Sequence, residues 1–154
     1  MSTAHPTLLI GSDHAGFLLK EYLRGQLSKC HTTVDVGCYS EDSVDYPRIA
    51  TALSLGLLQH VHSALGILLC GSGNGVCMSA NRFHGIRAAL CWNVEIATLA
   101  RLHNNANVLC LPARFLGQEE AWNIVQAFLE TPFEGGRHLR RIELIESVNS
   151  IEGP

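Results

Sequence analysis

Cys70-Gly71-Ser72-Gly73-Asn74-Gly75 sets one thiol ahead of three glycines in five positions. Glycine lets successive backbone amides turn inward as a nest aimed at an anion. A helix starting just beyond adds its positive end. A thiol at the lip of such a site is favoured as thiolate, the form these dipoles stabilise. Thiolate and amides together suit proton abstraction beside a carbonyl, which needs a base and donors for the developing oxyanion. The competing reading is a buried cysteine that ends a strand before a packing turn. Other phosphate loops are missing. No GxGxxG follows the first strand, no Gly-Lys pair occurs, and Val76 stands where a CxxxxxR phosphatase loop needs arginine.

Other side chains have suitable types and spacing. Asp13 and His14, within Ser12-Asp13-His14-Ala15-Gly16, offer a carboxylate and an imidazole for hydroxyl protons and phosphate, although Ser and Asp also cap helices at such turns. Asp42, Asp45 and Tyr46 fall in a second loop, where Asp45 ahead of Tyr46-Pro47 is equally a helix cap. His103-Asn104 continues a stripe with Ile96 and Leu99/Ala100 at helical spacing, which suits a structural histidine as well as a functional one. Arg137 and Arg141 stand one helical turn apart after Glu134-Gly135-Gly136, as a phosphate clamp or a solvated charged face. His60-x-His62 has no Cys or carboxylate cluster near it and reads as a surface feature. The only lysines, Lys20 and Lys29, fall in or at the end of an expected surface helix, which disfavours Schiff-base chemistry.

Positioning these groups requires strands whose ends converge. Thr7–Ile10, Thr33–Val36, Leu65–Leu69, Ile86–Leu90 and Val108–Leu111 read as strands. Helices are expected over Phe17–Ser28, Pro47–Gln59, from Gly75, over Val94–His103, Gln118–Leu129 and Gly136–Asn149. The alternation predicts an α/β fold: a single doubly wound, Rossmann-like domain over residues 1–154, with a five-stranded parallel sheet and helices on both faces. Ligands of such sheets bind outside the carboxyl ends of the strands.

Composition narrows the class. A chain of 154 residues, 47% hydrophobic, can bury a core without disulfide or metal staples. A net charge of −3 argues against a general nucleic-acid or membrane-surface binder. The longest apolar run, Ala64–Gly71, is far short of the roughly 20 residues that cross a bilayer. Met1–Thr7 lacks the basic start and apolar stretch of a signal peptide. Six cysteines without a CxxC pair fit a reducing compartment, most of them as small core residues. The expectation is an unexported, cytoplasmic protein.

Gly11-Ser12-Asp13-His14-Ala15-Gly16, Asp45-Tyr46-Pro47, Gly66-Ile67-Leu68-Leu69-Cys70-Gly71-Ser72-Gly73 and Ala80-Asn81-Arg82 follow one another in order. Gly85-Ile86-Arg87-Ala88, His103-Asn104-x-x-Asn107-Val108 and Glu134-Gly135-Gly136-Arg137-His138 complete the set. Together these segments resemble type B ribose-5-phosphate isomerase. Galactose-6-phosphate and allose-6-phosphate isomerases share this scaffold. The resemblance, from about Leu8 to Glu146, implies interconversion of D-ribose 5-phosphate and D-ribulose 5-phosphate through an enediolate, in the non-oxidative pentose phosphate pathway.

By that resemblance Cys70 matches the catalytic base, and His103 the acid that opens the sugar ring, with Asp13 assisting. Asp13 and His14 match sugar and phosphate contacts, with Tyr46 beside them. Gly71, Ser72, Gly73, Asn74 and Gly75 match the anion hole around the enediolate, with the Ser72 hydroxyl taking part in catalysis. Asn104, Arg114, Arg137 and Arg141 match the remaining substrate-binding positions, and Arg114 is expected from the neighbouring chain. The family implies a homodimer or tetramer with sites shared between subunits, and no metal or organic cofactor. Ser72 stands where threonine is common. Gly75, Val76 and Cys77 leave no rival carboxylate where some relatives carry a glutamate base. The rival enzyme is a hexose-6-phosphate isomerase. A nucleotide-binding regulatory domain is the rival of another class, disfavoured because no adenine-pocket or ribose-carboxylate motif accompanies the glycine loop.

Overall fold

The apolar run Ala64–Cys70 forms β3, the central strand of a five-stranded sheet in the computed structural model of the chain. The structure describes residues 6–60 and 63–148. His62 of the His60-x-His62 pair and the expected helix end at Asn149 lie outside that range. The other strands are β1 (Thr7–Ser12), β2 (Thr33–Asp35), β4 (Ala88–Leu90) and β5 (Val108–Pro112). They are ordered β2-β1-β3-β5-β4, and every pair is parallel. Parallel neighbours need crossover helices, which then cover both faces. These are α1 (Phe17–Leu27), α2 (Tyr46–Leu58), α3 (Asn74–Ala80), α4 (Val94–Asn104) and α5 (Gln118–Glu130), followed by α6 (Arg137–Glu146).

Alternation along β3 divides the core. Ile67 and Leu69 join Leu8, Leu23, Leu109 and Phe128 in one buried cluster, on the side of α1, α4 and α5. Leu68 and Cys70 join Ile49, Leu53, Val76 and Cys110 in the other, on the side of α2 and α3. Successive strand residues point to opposite faces, so the period of two sends Cys70 toward α2 and α3. Full burial of each large aliphatic side chain contributes about 1.5–3 kcal/mol.

Element ends differ from the expected ones for local reasons. β1 continues through Gly11 and Ser12, which pair with Leu68 and Leu69 of β3. β4 starts at Ala88 rather than Ile86, because the Arg87 amide donates to the Asn107 side chain at 2.8 Å. On the other side of this short edge strand, the Asn81 carboxamide accepts from the Ala88 amide and donates to its carbonyl, both at 2.9 Å.

One expectation is corrected outright. Lys20 is fully buried rather than on a helix surface. Its Nζ lies 2.6 Å from Asp35 Oδ2 and 3.2 Å from Glu21 Oε1, with the Phe17 and Tyr39 rings 5.5 Å away. A long stem lets lysine bury its methylenes while its charge meets a partner, and β2 brings that carboxylate to α1.

Candidate active site

The chain runs from β1 outward to β2, then returns past β1 to β3, so the crevice between β1 and β3 is the switch point where ligands bind. Asp13 and Cys70 stand at its two sides. The Asp13 amide donates to Leu69 O at 3.1 Å, and its buried carboxylate accepts from the Gly16 amide at 3.1 Å. It therefore caps the short helical turn His14–Gly16 while facing the cleft loops. Cys70 is buried at the last position of β3. Asp45 occupies the cap position of α2 but makes no side-chain capping bond.

The Gly71–Gly75 turn is shaped by its neighbours. Gly73 has φ +75°, and a Cβ there would stand 3.0 Å from the Leu111 carbonyl carbon, so only glycine fits without strain. Ser72 Oγ accepts from the Asn74 amide at 3.4 Å and from Asn74 Nδ2 at 3.3 Å. The Arg114 amide donates to Gly71 O at 3.0 Å, and its guanidinium covers the space above the Gly71 Cα. Tyr46 does the same at Gly75. The His14 imidazole accepts from the Val44 amide at 3.3 Å, joining the first cleft loop to the second. Asp13, His14, Tyr46, Cys70, the glycine turn and Arg114 thus form one group.

His103, Asn104, Arg137 and Arg141 form another. His103, one residue before the end of α4, stacks on His138 of α6, with centroids 4.3 Å apart and planes 9° from parallel. Glu134 Oε2 lies 3.7 Å from His103 Nε2 and 3.5 Å from His138 Nε2. Arg137 Nε donates to His138 Nε2 at 3.4 Å. Burial holds the His138 imidazole below its ordinary pKa. The nearby His103, Arg137 and Arg141 lower it further, against the opposing pull of Glu134. The ligand atoms of His103, Glu134 and His138 all lie within 4.8 Å of one another.

The two groups sit at opposite edges of the sheet. β3 and β5 run from Gly66 beside Val108 to Cys70 beside Pro112, about 13 Å at the usual rise of a parallel strand. Asn104 precedes the first pair, whereas the glycine turn follows the second. One chain therefore does not bring His103 to its own Cys70. Arg114 follows β5 at the Cys70 edge and touches Gly71 of its own chain, which corrects the expectation that it comes from a neighbour. The order of elements held this signal: a helix after a parallel strand runs back, so its last residue returns to the amino edge.

Of the other thiols, Cys38 lies beside Ser12 ahead of Asp13, its Sγ 3.9 Å from Ser12 Oγ, and the Cys77 amide donates to Gly73 O at 3.2 Å. Cys91 is buried, and loss of solvent pushes its pKa up to about 12; burial likewise raises the Cys110 thiol well above its usual value. Cys77 is half-buried and lowered, chiefly by a hydrogen bond with Cys110. Cys30 is exposed. Glu134 and His138, which belong to the Glu134-Gly135-Gly136-Arg137-His138 segment, gain their contacts to His103 only where α6 meets α4.

A doubly wound parallel sheet with a thiol, a carboxylate and a glycine turn at its switch point defines an α/β enzyme of small-molecule metabolism. The chain belongs to the ribose/galactose isomerase family, whose pattern matches residues 8–145. It is 39% identical over 142 residues to ribose-5-phosphate isomerase B of Escherichia coli, covering 92% of this chain and 95% of that one. A crystal structure of a ribose-5-phosphate isomerase from Thermotoga maritima superimposes with a TM-score of 0.90 at 51% identity, covering 94% and 99% of the two chains. The Mycoplasma genitalium ribose-5-phosphate isomerase B, solved with bound ribulose-5-phosphate, has a TM-score of 0.90 at 42% identity, covering 95% and 97%. Among the described residues no helix is long and apolar enough to cross a membrane.

Proposed function

We propose that this chain, as one domain over residues 1–154, interconverts D-ribose 5-phosphate and D-ribulose 5-phosphate. The observation that carries the reading is Cys70 at the end of the central strand, directly before the Gly71–Gly75 turn and across the crevice from Asp13. The family and the ribulose-5-phosphate bound by the Mycoplasma relative support the substrate class. Proton transfer through Asp13 and His103 of the partner subunit opens the ring. The Cys70 thiolate then removes the C2 proton. Amides of Gly71–Gly75 and the Ser72 hydroxyl hold the enediolate oxygen, and the proton returns to C1. No electron acceptor is consumed, because C2 is oxidised as C1 is reduced.

The separation of the two groups supports a site shared between two copies. Asn104, Arg137 and Arg141 of the partner subunit would join His14 and Arg114 on the phosphate and sugar hydroxyls. We place the reaction in the pentose phosphate pathway and in the cytoplasm, where six free thiols persist.

The test is purified protein assayed against ribose 5-phosphate, allose 6-phosphate and galactose 6-phosphate side by side. The highest kcat/KM is expected for ribose 5-phosphate. Cys70→Ala should lose most of kcat and still bind substrate, and iodoacetate should inactivate the wild type in a substrate-protected way. Near-normal turnover in Cys70→Ala overturns the assignment of the base. Preference for a hexose phosphate overturns the substrate.

A further inference from the structure

Gly85-Ile86-Arg87-Ala88 has no part in the chemistry above, yet its arginine holds both helices of the second group. Arg87 Nε donates to the carbonyls of Asn104 and Asn105, at 3.3 and 3.1 Å, where α4 ends. Arg87 Nη1 donates to Glu146 Oε1 at 2.6 Å, where α6 ends. Glu146 Oε2 accepts from the Gly85 amide at 3.1 Å, with His84 Nδ1 3.6 Å away. Asn107 fixes the backbone of the motif: its Oδ1 accepts from the Arg87 amide and its Nδ2 donates to Gly85 O, both at 2.8 Å. The two charged side chains are only 19% and 26% exposed.

Among the described residues of one chain, α6 has few other fastenings. Its buried residues are His138 and Ile142, while Leu139, Leu144 and Ile145 are at least half exposed. Its start is held by the His103–His138 stack and by the Glu134 amide, which donates to Leu102 O at 3.0 Å. Its end is held by Glu146. Helix C-terminal carbonyls carry partial negative charge, and a guanidinium presents several donors in a rigid fork. One arginine can therefore satisfy α4 and the α6 carboxylate together, which an ammonium cannot do with the same geometry.

We infer that Arg87 and Glu146 form a strut that sets the spacing between the His103–Asn104 corner and the phosphate-binding arginines Arg137 and Arg141. Both are positioning residues that touch no substrate. The inference rests on the proposed reading, in which those four residues complete a sugar-phosphate site.

The experiment uses Glu146→Gln, Arg87→Lys, Arg87→Gln and the double variant Arg87→Gln/Glu146→Gln in the intact chain, each checked for assembly and Tm. KM for ribose 5-phosphate and the inhibition constant of inorganic phosphate should rise about tenfold in Glu146→Gln, since small misplacements of binding groups are costly. kcat should change less, and the iodoacetate reactivity of Cys70 should not change. The double variant should be no worse than Arg87→Gln alone, as expected of two members of one contact. Arg87→Lys, which keeps the charge and loses the fork, should fall between. Amides of residues 137–146 should exchange hydrogen faster in Glu146→Gln. If Arg87→Gln fails to fold, Glu146→Gln carries the test.

A folded Glu146→Gln with unchanged KM, phosphate inhibition and exchange overturns the strut. So does a loss spread evenly over kcat, Tm and Cys70 reactivity without a rise in KM. If the wild type fails to turn over ribose 5-phosphate, the functional reading falls, while hydrogen exchange and phosphate affinity still decide the strut.

Discussion

The phenol end of Tyr46 lies on the Cα of Gly75: a Cβ at that glycine would stand 2.6 Å from Cζ and 2.7 Å from Cε2. The first residue of α2 is thereby seated on the turn that follows Cys70. Gly75→Ala should force the ring away and, because that ring is exposed enough to move, destabilise the chain by about 1 kcal/mol, the low end of the cost of overpacking. Combining it with Tyr46→Ala should cost less than the sum of the single changes, because the second substitution removes the clash. Urea unfolding of the four proteins measures the coupling, and strict additivity would show that the contact carries no strain.

The proposed sharing of sites between copies makes subunit mixing informative. Cys70→Ala and His103→Ala damage different groups, so their heterodimer should hold one intact site and one doubly damaged site. Co-expression with separable tags should yield a mixed dimer more active than either parent. Cys70→Ala with Arg114→Ala should show no recovery, because Arg114 contacts Gly71 of its own chain. Recovery in that second pair would place Arg114 in the other half.

Lys20 is fully buried and its partner Asp35 nearly so, so removing one partner should cost more than replacing both. Asp35→Asn leaves the ammonium with Glu21 3.2 Å away as its remaining acidic partner and should destabilise by about 1–3 kcal/mol, less than the loss from an uncompensated buried charge. Lys20→Met with Asp35→Leu should recover much of that loss. Chemical denaturation of all three variants tests the ranking. A double variant worse than Asp35→Asn contradicts it.

His138 prefers its neutral form in the folded chain, because burial and the nearby positive groups lower its pKa from 6.5. Its contribution to stability is complete above that unfolded value. As pH falls below it, the unfolded chain binds the proton first, and stability declines until the lower folded pKa is passed. Tm should therefore drop between neutral and mildly acid pH by more in the wild type than in His138→Gln. Parallel Tm–pH curves for the two proteins would refute this.

Patterns that depend on one element at a time were legible in the sequence. β3 was readable from an unbroken apolar run, and the Cys70–Gly75 turn from its glycines. Lys20 was not, because its burial depends on Asp35 arriving from another strand, and helix periodicity alone cannot report that. His103 was readable as the end of a helix, yet its distance from Cys70 depends on the running direction of that helix relative to the sheet. The Arg87 fork was invisible for a similar reason. Its partners Asn104, Asn105 and Glu146 come from two segments that meet only in three dimensions.

The amide of Asn81, clasping Ala88 on both its polar backbone groups, stands where a sixth strand would otherwise dock. A bare strand edge invites pairing with another molecule, and a short, occupied edge resists it. The occupied Ala88 groups thus disfavour fusion of copies through β4 into a continuous intermolecular sheet. On that flank, contact between molecules is left to helices and loops, whose side chains can discriminate one partner from another in a way repeating backbone amides cannot.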